Sequence, residues 1–110
     1  MVTRADDEIR GTRTMQAEAD IVLNTAADPS QEAAWLPDWL RDCELDLNAD
    51  ERTLRWVRDD EPRGFLAAQP RGAGSSEVEM VTYQDVAGID AVQAALGALE
   101  AAVAEKLTAG

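Results

Sequence analysis

The sequence is short of almost every residue that ordinarily does chemistry. Its 110 residues include no histidine, one cysteine (Cys43), one lysine (Lys106), one phenylalanine (Phe65) and one tyrosine (Tyr83). Without histidine there is no Ser-His or Cys-His nucleophile pair, no imidazole base and no imidazole metal ligand. A single cysteine excludes an internal disulfide and a cysteine-cluster zinc site. Proton transfer, if there is any, falls to carboxylates, Tyr83, Cys43 or Lys106. No apolar run resembles a membrane span. The charged stretch Met1 to Arg13 lacks the apolar centre of a secretory signal, so a cytoplasmic location is expected.

Positive charge is scarce as well. Twenty-two acidic residues stand against ten basic ones, a net charge of -12 at pH 7. Carboxylates at this density repel phosphate backbones and anionic headgroups, so neither nucleic acid nor a membrane is expected as a partner. The run Asp42, Glu44, Asp46, Asn48, Asp50 spaces its oxygens as a calcium loop does. Leu47, however, stands where that loop needs glycine, and Thr53 where it needs a bidentate glutamate, so a solvated strand face is expected and no metal. Gly72, Gly74, Ser75 and Ser76 have no lysine after them and join two strands, which makes them a hairpin loop rather than a phosphate cradle. No cofactor is expected.

What remains is pattern. Ile89, Val92, Leu96, Leu99, Val103 and Leu107 recur at steps of three and four, and alanines fill the positions between them. This is one long amphipathic helix, Gly88 to Leu107, whose stripe requires a partner surface. Upstream, Thr14 to Asn24 alternates Met15, Ala17, Ala19, Ile21 and Leu23 with polar residues and reads as a half-buried strand. Asp28-Pro29 starts a short helix, Pro37 breaks it, and a turn from Asp38 to Arg41 follows. Four further strands are expected at 42–48, 53–58, 65–69 and 77–84, with turns between them short enough to make neighbours antiparallel. Residues 1–13 read as a flexible arm and 14–110 as one domain.

Trp35, Trp39 and Trp56 have two readings, core packing or the wall of a pocket for a flat apolar guest. Three pieces of sequence bear on the choice. Ala17 to Leu23 running into Asp28-Pro29 and Trp35-Leu36-Pro37-Asp38-Trp39-Leu40, the strands around Leu54-Arg55-Trp56, Gly64-Phe65-Leu66 and Val78 to Tyr83, and the alanine-rich terminal helix together resemble the SRPBCC superfamily. These are START-like or Bet v 1-like helix-grip proteins, and the chain is most similar to the polyketide cyclase/dehydrase and coenzyme Q-binding group. Members are some tens of residues longer, with two helices after the first strand and six or seven strands. The resemblance therefore implies a shortened α+β helix-grip fold, a curved antiparallel sheet of about five strands wrapped around the C-terminal helix. It also implies a cavity between sheet and helix for a small hydrophobic or aromatic molecule, for which Trp35, Trp39, Trp56, Phe65, Met80, Tyr83 and Leu96 are the candidate lining residues. Two other functions stay open: a polyketide aromatase/cyclase-like enzyme using Tyr83 or a buried carboxylate, and a protein-interaction module without a ligand. The shortened sheet leaves an open edge, from which a homodimer is expected.

Overall fold

The computed structural model describes residues 2–5 and 8–109, with side chains from 8 to 106. The chain runs β1 (Val2–Ala5), β2 (Glu8–Met15), α1 (Ala19–Ala27), a 3-10 turn (Pro29–Gln31), α2 (Glu32–Trp35), a second 3-10 turn (Asp38–Leu40), β3 (Glu44–Asn48), β4 (Thr53–Arg58), β5 (Glu61–Pro70), β6 (Ser76–Tyr83) and α3 (Ile89–Ala109). The six strands form one antiparallel sheet in the order β1-β2-β6-β5-β4-β3. The sheet curves around the helices, with the long α3 lying chiefly along β2 and α1 over β5 and β4. This is the helix-grip architecture that the resemblance implied, and its sheet is the partner surface that the apolar stripe of the last helix required.

Two assignments at the start of the chain are corrected. Residues 8–13, expected in a flexible arm, form most of β2, and β2 pairs with β6 along its whole length from Glu8↔Tyr83 to Met15↔Ser76. Met1, Asp6 and Asp7, the rest of that arm beside β1, lie outside the described residues. The strand expected from Thr14 to Asn24 ends at Met15, and α1 takes over at Ala19. The alternation of apolar residues there was real but incidental. The buried positions Ala19, Val22, Leu23 and Ala26 follow the helical spacing i, i+3, i+4, i+7 instead. Alanine and leucine favour that choice, and Thr25, fully buried, satisfies its hydroxyl by donating to the Ile21 carbonyl at 2.8 Å. Glu18 joins this helix start to the β5–β6 hairpin by accepting from the Gly74 amide at 2.8 Å.

Elsewhere the turns follow their residues. Asp28 caps the first 3-10 turn by accepting from the Ser30 amide at 2.9 Å, with Pro29 in the first position. Leu36, ahead of Pro37, is extended at φ -65° and ψ 121°, and α2 stops there after one turn. Between β4 and β5 the reversal is only two residues long. Asp59 and Asp60 adopt φ of 52° and 66°, and β5 begins at Glu61 rather than at Phe65. Pro62 is accommodated because β5 carries a bulge there: Trp56 faces Gly64 and Val57 faces Pro62, leaving Arg63 as the extra residue.

The core lies on the concave face. Met15, Leu54, Leu66, Val78 and Met80 from the strands meet Val92, Leu96, Leu99 and Val103 of α3, all essentially inaccessible to solvent. Leu107, expected at the end of the stripe, lies outside the described side chains.

Candidate functional site

The candidate lining residues do not converge on one cavity. Trp35 (3% exposed), Trp56 (2%), Met80 and Leu96 are buried together in the core, and Trp39 packs against its edge. Phe65 and Tyr83 face the other way. In a strand successive side chains alternate faces, and Leu66 and Thr82 occupy the inward positions next to them. Phe65 sits between Arg55 and Val81, and Tyr83 opposite Glu8, on the convex side of the sheet. The space between the sheet and the middle of α3 is occupied by Met15, Met80, Leu96 and Leu99 rather than left open.

The opening nearest the tryptophans lies at the broken helix. A cleft of ≈ 190 Å³ is bounded by Ala26 of α1, Leu36 and Leu40 on either side of Pro37, Cys43 and Leu45 at the sheet edge, and Trp56. Its position follows from local sequence. Pro37 ends α2 and turns the chain so that Leu36 and Leu40 both reach the opening. Leu40 then plugs the sheet over Gly64, where a Cβ would stand 2.7 Å from Leu40 Cδ2, so that a side chain there requires Leu40 to move. Behind the wall, Trp35 meets Trp56 edge-on with ring centroids 5.9 Å apart and planes inclined at 67°. Edge-to-face pairs of this kind are favourable beyond their buried area. The buried Trp35 Nε1–H has no hydrogen-bond partner among the described residues.

The cleft has few reactive groups. Its charged members Glu32, Arg41 and Asp42 are exposed at the mouth. Burial pushes the Cys43 thiol above its ordinary range, against a smaller opposing pull from Arg63 and Arg58. The sulfur is therefore a neutral thiol at neutral pH and a poor nucleophile. No group of three or more potential metal ligands occurs among the described residues.

Two of the remaining depressions among the described residues differ in character. The convex-face one, ≈ 560 Å³, gathers Phe65, Tyr83, Val81, Val57 and Pro62 beneath the Arg10–Glu79 ion pair at 2.8 Å. Glu79, by hydrogen bond and by charge, raises the Arg10 pKa further, so that side chain stays charged. The other, ≈ 540 Å³, runs where the end of β2 meets α3, along Met15, Gly97, Ala101 and Ala104, beside the Arg13–Glu100 pair at 3.0 Å. Leu36, Leu40, Cys43 and Leu45 were absent from the residues expected to line a site. Leu36 and Leu40 could have been found from their place on either side of Pro37. Cys43 and Leu45 could not, because their exposure depends on where the sheet ends.

No known family description and no curated protein matches the sequence. Solved structures do match over most of the chain. Protein NE0264 of Nitrosomonas europaea superposes with a TM-score of 0.69 at 13% identity, over 96% of this chain and 99% of that one. The Zhui aromatase/cyclase of a Streptomyces species gives 0.63 at 14%, over 90% and 92%. Norcoclaurine synthase of Thalictrum flavum, solved with dopamine and hydroxybenzaldehyde, gives 0.58 at 12%, over 89% and 86%. At such identities the likeness is one of fold, and the fold of this chain is the helix grip that these proteins share.

Proposed function

We propose that this protein binds a small hydrophobic or aromatic molecule in the cleft between the broken helix and the edge of the sheet, as a non-catalytic container belonging to the SRPBCC superfamily. The observation that carries this reading is the cleft itself, a mixed lining in which the apolar side chains of Ala26, Leu36, Leu40, Leu45 and Trp56 stand beside the exposed Glu32, Arg41 and Asp42, backed by the Trp35–Trp56 pair. Its ≈ 190 Å³ compares with engineered apolar cavities of about 150 Å³ that take up benzene. The guest is accordingly one or two rings in size, smaller than a polycyclic compound. A carbonyl or phenolic oxygen on the guest would face the exposed polar groups Glu32, Arg41 and Asp42, while its ring meets Leu36, Leu40 and Trp56. The ligands of the similarly folded norcoclaurine synthase, dopamine and hydroxybenzaldehyde, are single-ring aromatics with such oxygens. A cyclase-like reaction draws less support, because the cleft holds no buried carboxylate or phenol and Tyr83 lies on the opposite face.

The test is a titration with one- and two-ring phenols and quinones, followed by tryptophan fluorescence and thermal melting. Saturable quenching is expected, with a stabilisation of about 2.7 kcal/mol at a hundredfold excess over Kd. Leu36→Gln should weaken binding and Phe65→Ala should leave it intact. If Phe65→Ala abolishes binding while Leu36→Gln does not, the guest sits on the convex face and this assignment is wrong.

A further inference from the structure

Strand β3 ends the sheet, and no strand among the described residues pairs with its outer side. Each of its five residues is exposed, including two that belong to the core-facing side by register. Leu45 lies opposite Trp56 and Leu47 opposite Leu54, yet they are 40% and 49% exposed where their partners are buried. The helices stop short of this strand, because α1 covers β4 and β5 while α2 ends after one turn. The other side of β3 carries Glu44 and Asp46, with Asp42, Asp50 and Glu51 in the flanking turns. None of these five carboxylates forms an ion pair among the described residues. The adjacent cations are engaged elsewhere, Arg41 with Asp38 at 3.4 Å and Arg52 with Asp20 at 3.5 Å. Arg55, opposite Asp46 on β4, is the one cation set directly across from them.

An edge strand offers alternate backbone N–H and C=O groups to any chain that lies alongside it. Here the added strand would cover Leu45 and Leu47 with one face and meet Glu44 and Asp46 with the other. A second copy of this chain fits poorly. Antiparallel self-pairing centred on Asp46 sets that carboxylate against itself, and centring on Leu45 sets Glu44 against Asp46, between molecules of net charge -12. Like charges directly opposite destabilise strand pairs. We propose that the free edge of β3 takes up, as a seventh strand, an extended segment of a partner protein in which apolar and basic residues alternate. Main-chain hydrogen bonds hold the segment, its apolar side chains complete the core-facing row, and its basic ones select this edge over an uncharged one. The surface adjoins the small-molecule cleft, since Leu45 belongs to both, and Leu47, which does not line the cleft, distinguishes the two.

The experiment uses the intact protein and three blocked seven-residue peptides: one alternating valine and lysine, one with the same residues in two blocks, and one alternating valine and glutamate. Binding is followed by amide exchange and chemical shifts. The alternating lysine peptide should bind, slow amide exchange within 44–48, and weaken as salt is raised. The lysine peptide with its residues in two blocks and the glutamate peptide should each bind at least tenfold more weakly. Leu47→Glu should reduce affinity for the lysine peptide at least tenfold while leaving the fold, and any quenching by phenols, unchanged. Equal binding of the two lysine peptides, or shifts that avoid β3, would show unspecific attraction and overturn the proposal. So would a dimer in sedimentation that Leu47→Glu dissolves, since the edge would then belong to a second copy.

Discussion

The contact between Leu40 and Gly64 can be tested by a double-mutant cycle. Leu40 is 1% exposed, and its Cδ2 occupies the space a side chain at Gly64 would need, 2.7 Å from an ideal Cβ. Leu40→Ala removes a buried isopropyl group at the rim of the cleft. It should cost about 3 kcal/mol, in the lower part of the range for such truncations because the cleft lets neighbours relax. Gly64→Ala inserts one methyl beneath an intact leucine. It should cost about 1–2 kcal/mol, as the leucine must rotate towards the cleft or the strand must shift. In the double variant the alanine methyl at 64 enters space already vacated, so its cost disappears and the two losses fail to add by about 1 kcal/mol or more. Urea melts of the four proteins measure this directly. At roughly 4 °C per kcal/mol for a domain of this size, thermal melts should separate them too. If the double variant is destabilised by the sum of the singles, Leu40 does not plug the sheet over Gly64.

Two further outcomes are expected. Leu96→Asp places an unpaired charge at a fully buried position of α3 and should cost several kcal/mol, whereas Glu100→Ala removes only a half-exposed partner of Arg13, worth about 0–1 kcal/mol; indistinguishable melts would refute the buried face of α3. Cys43, its thiol pKa raised by burial, should react with iodoacetamide at pH 7.5 more slowly in the folded protein than in urea, and more slowly still with a phenol bound in the cleft; a folded-state rate equal to the unfolded one would place the sulfur outside the cleft.

Much of this molecule was legible in the residues alone. The stripe from Val92 to Val103 specified an amphipathic helix and its buried face, because a 3.6-residue period leaves no other way to hide those side chains; Ile89, expected at its start, is instead 39% exposed at the first turn of α3. The four strands from Glu44 to Tyr83, their antiparallel sense and the break at Pro37 followed equally from alternation, turn residues and proline geometry. The choice between strand and helix at Ala17 to Leu23 was not legible, since alternate apolar residues there also satisfied a helical spacing, and only packing beside β5 and β4 selected one. The polar-looking start of the chain hid β2, whose pairing with β6 is a contact between residues about seventy positions apart. The candidate site divided in the same way. That Trp35, Trp56, Met80 and Leu96 belong together is a matter of apolar pattern. That Phe65 and Tyr83 lie on the other side depends on register across three strands and a bulge at Arg63. Likewise, the sequence of β3 shows two leucines on one face, but their exposure depends on which helices reach the edge of the sheet, and that is decided by the fold as a whole.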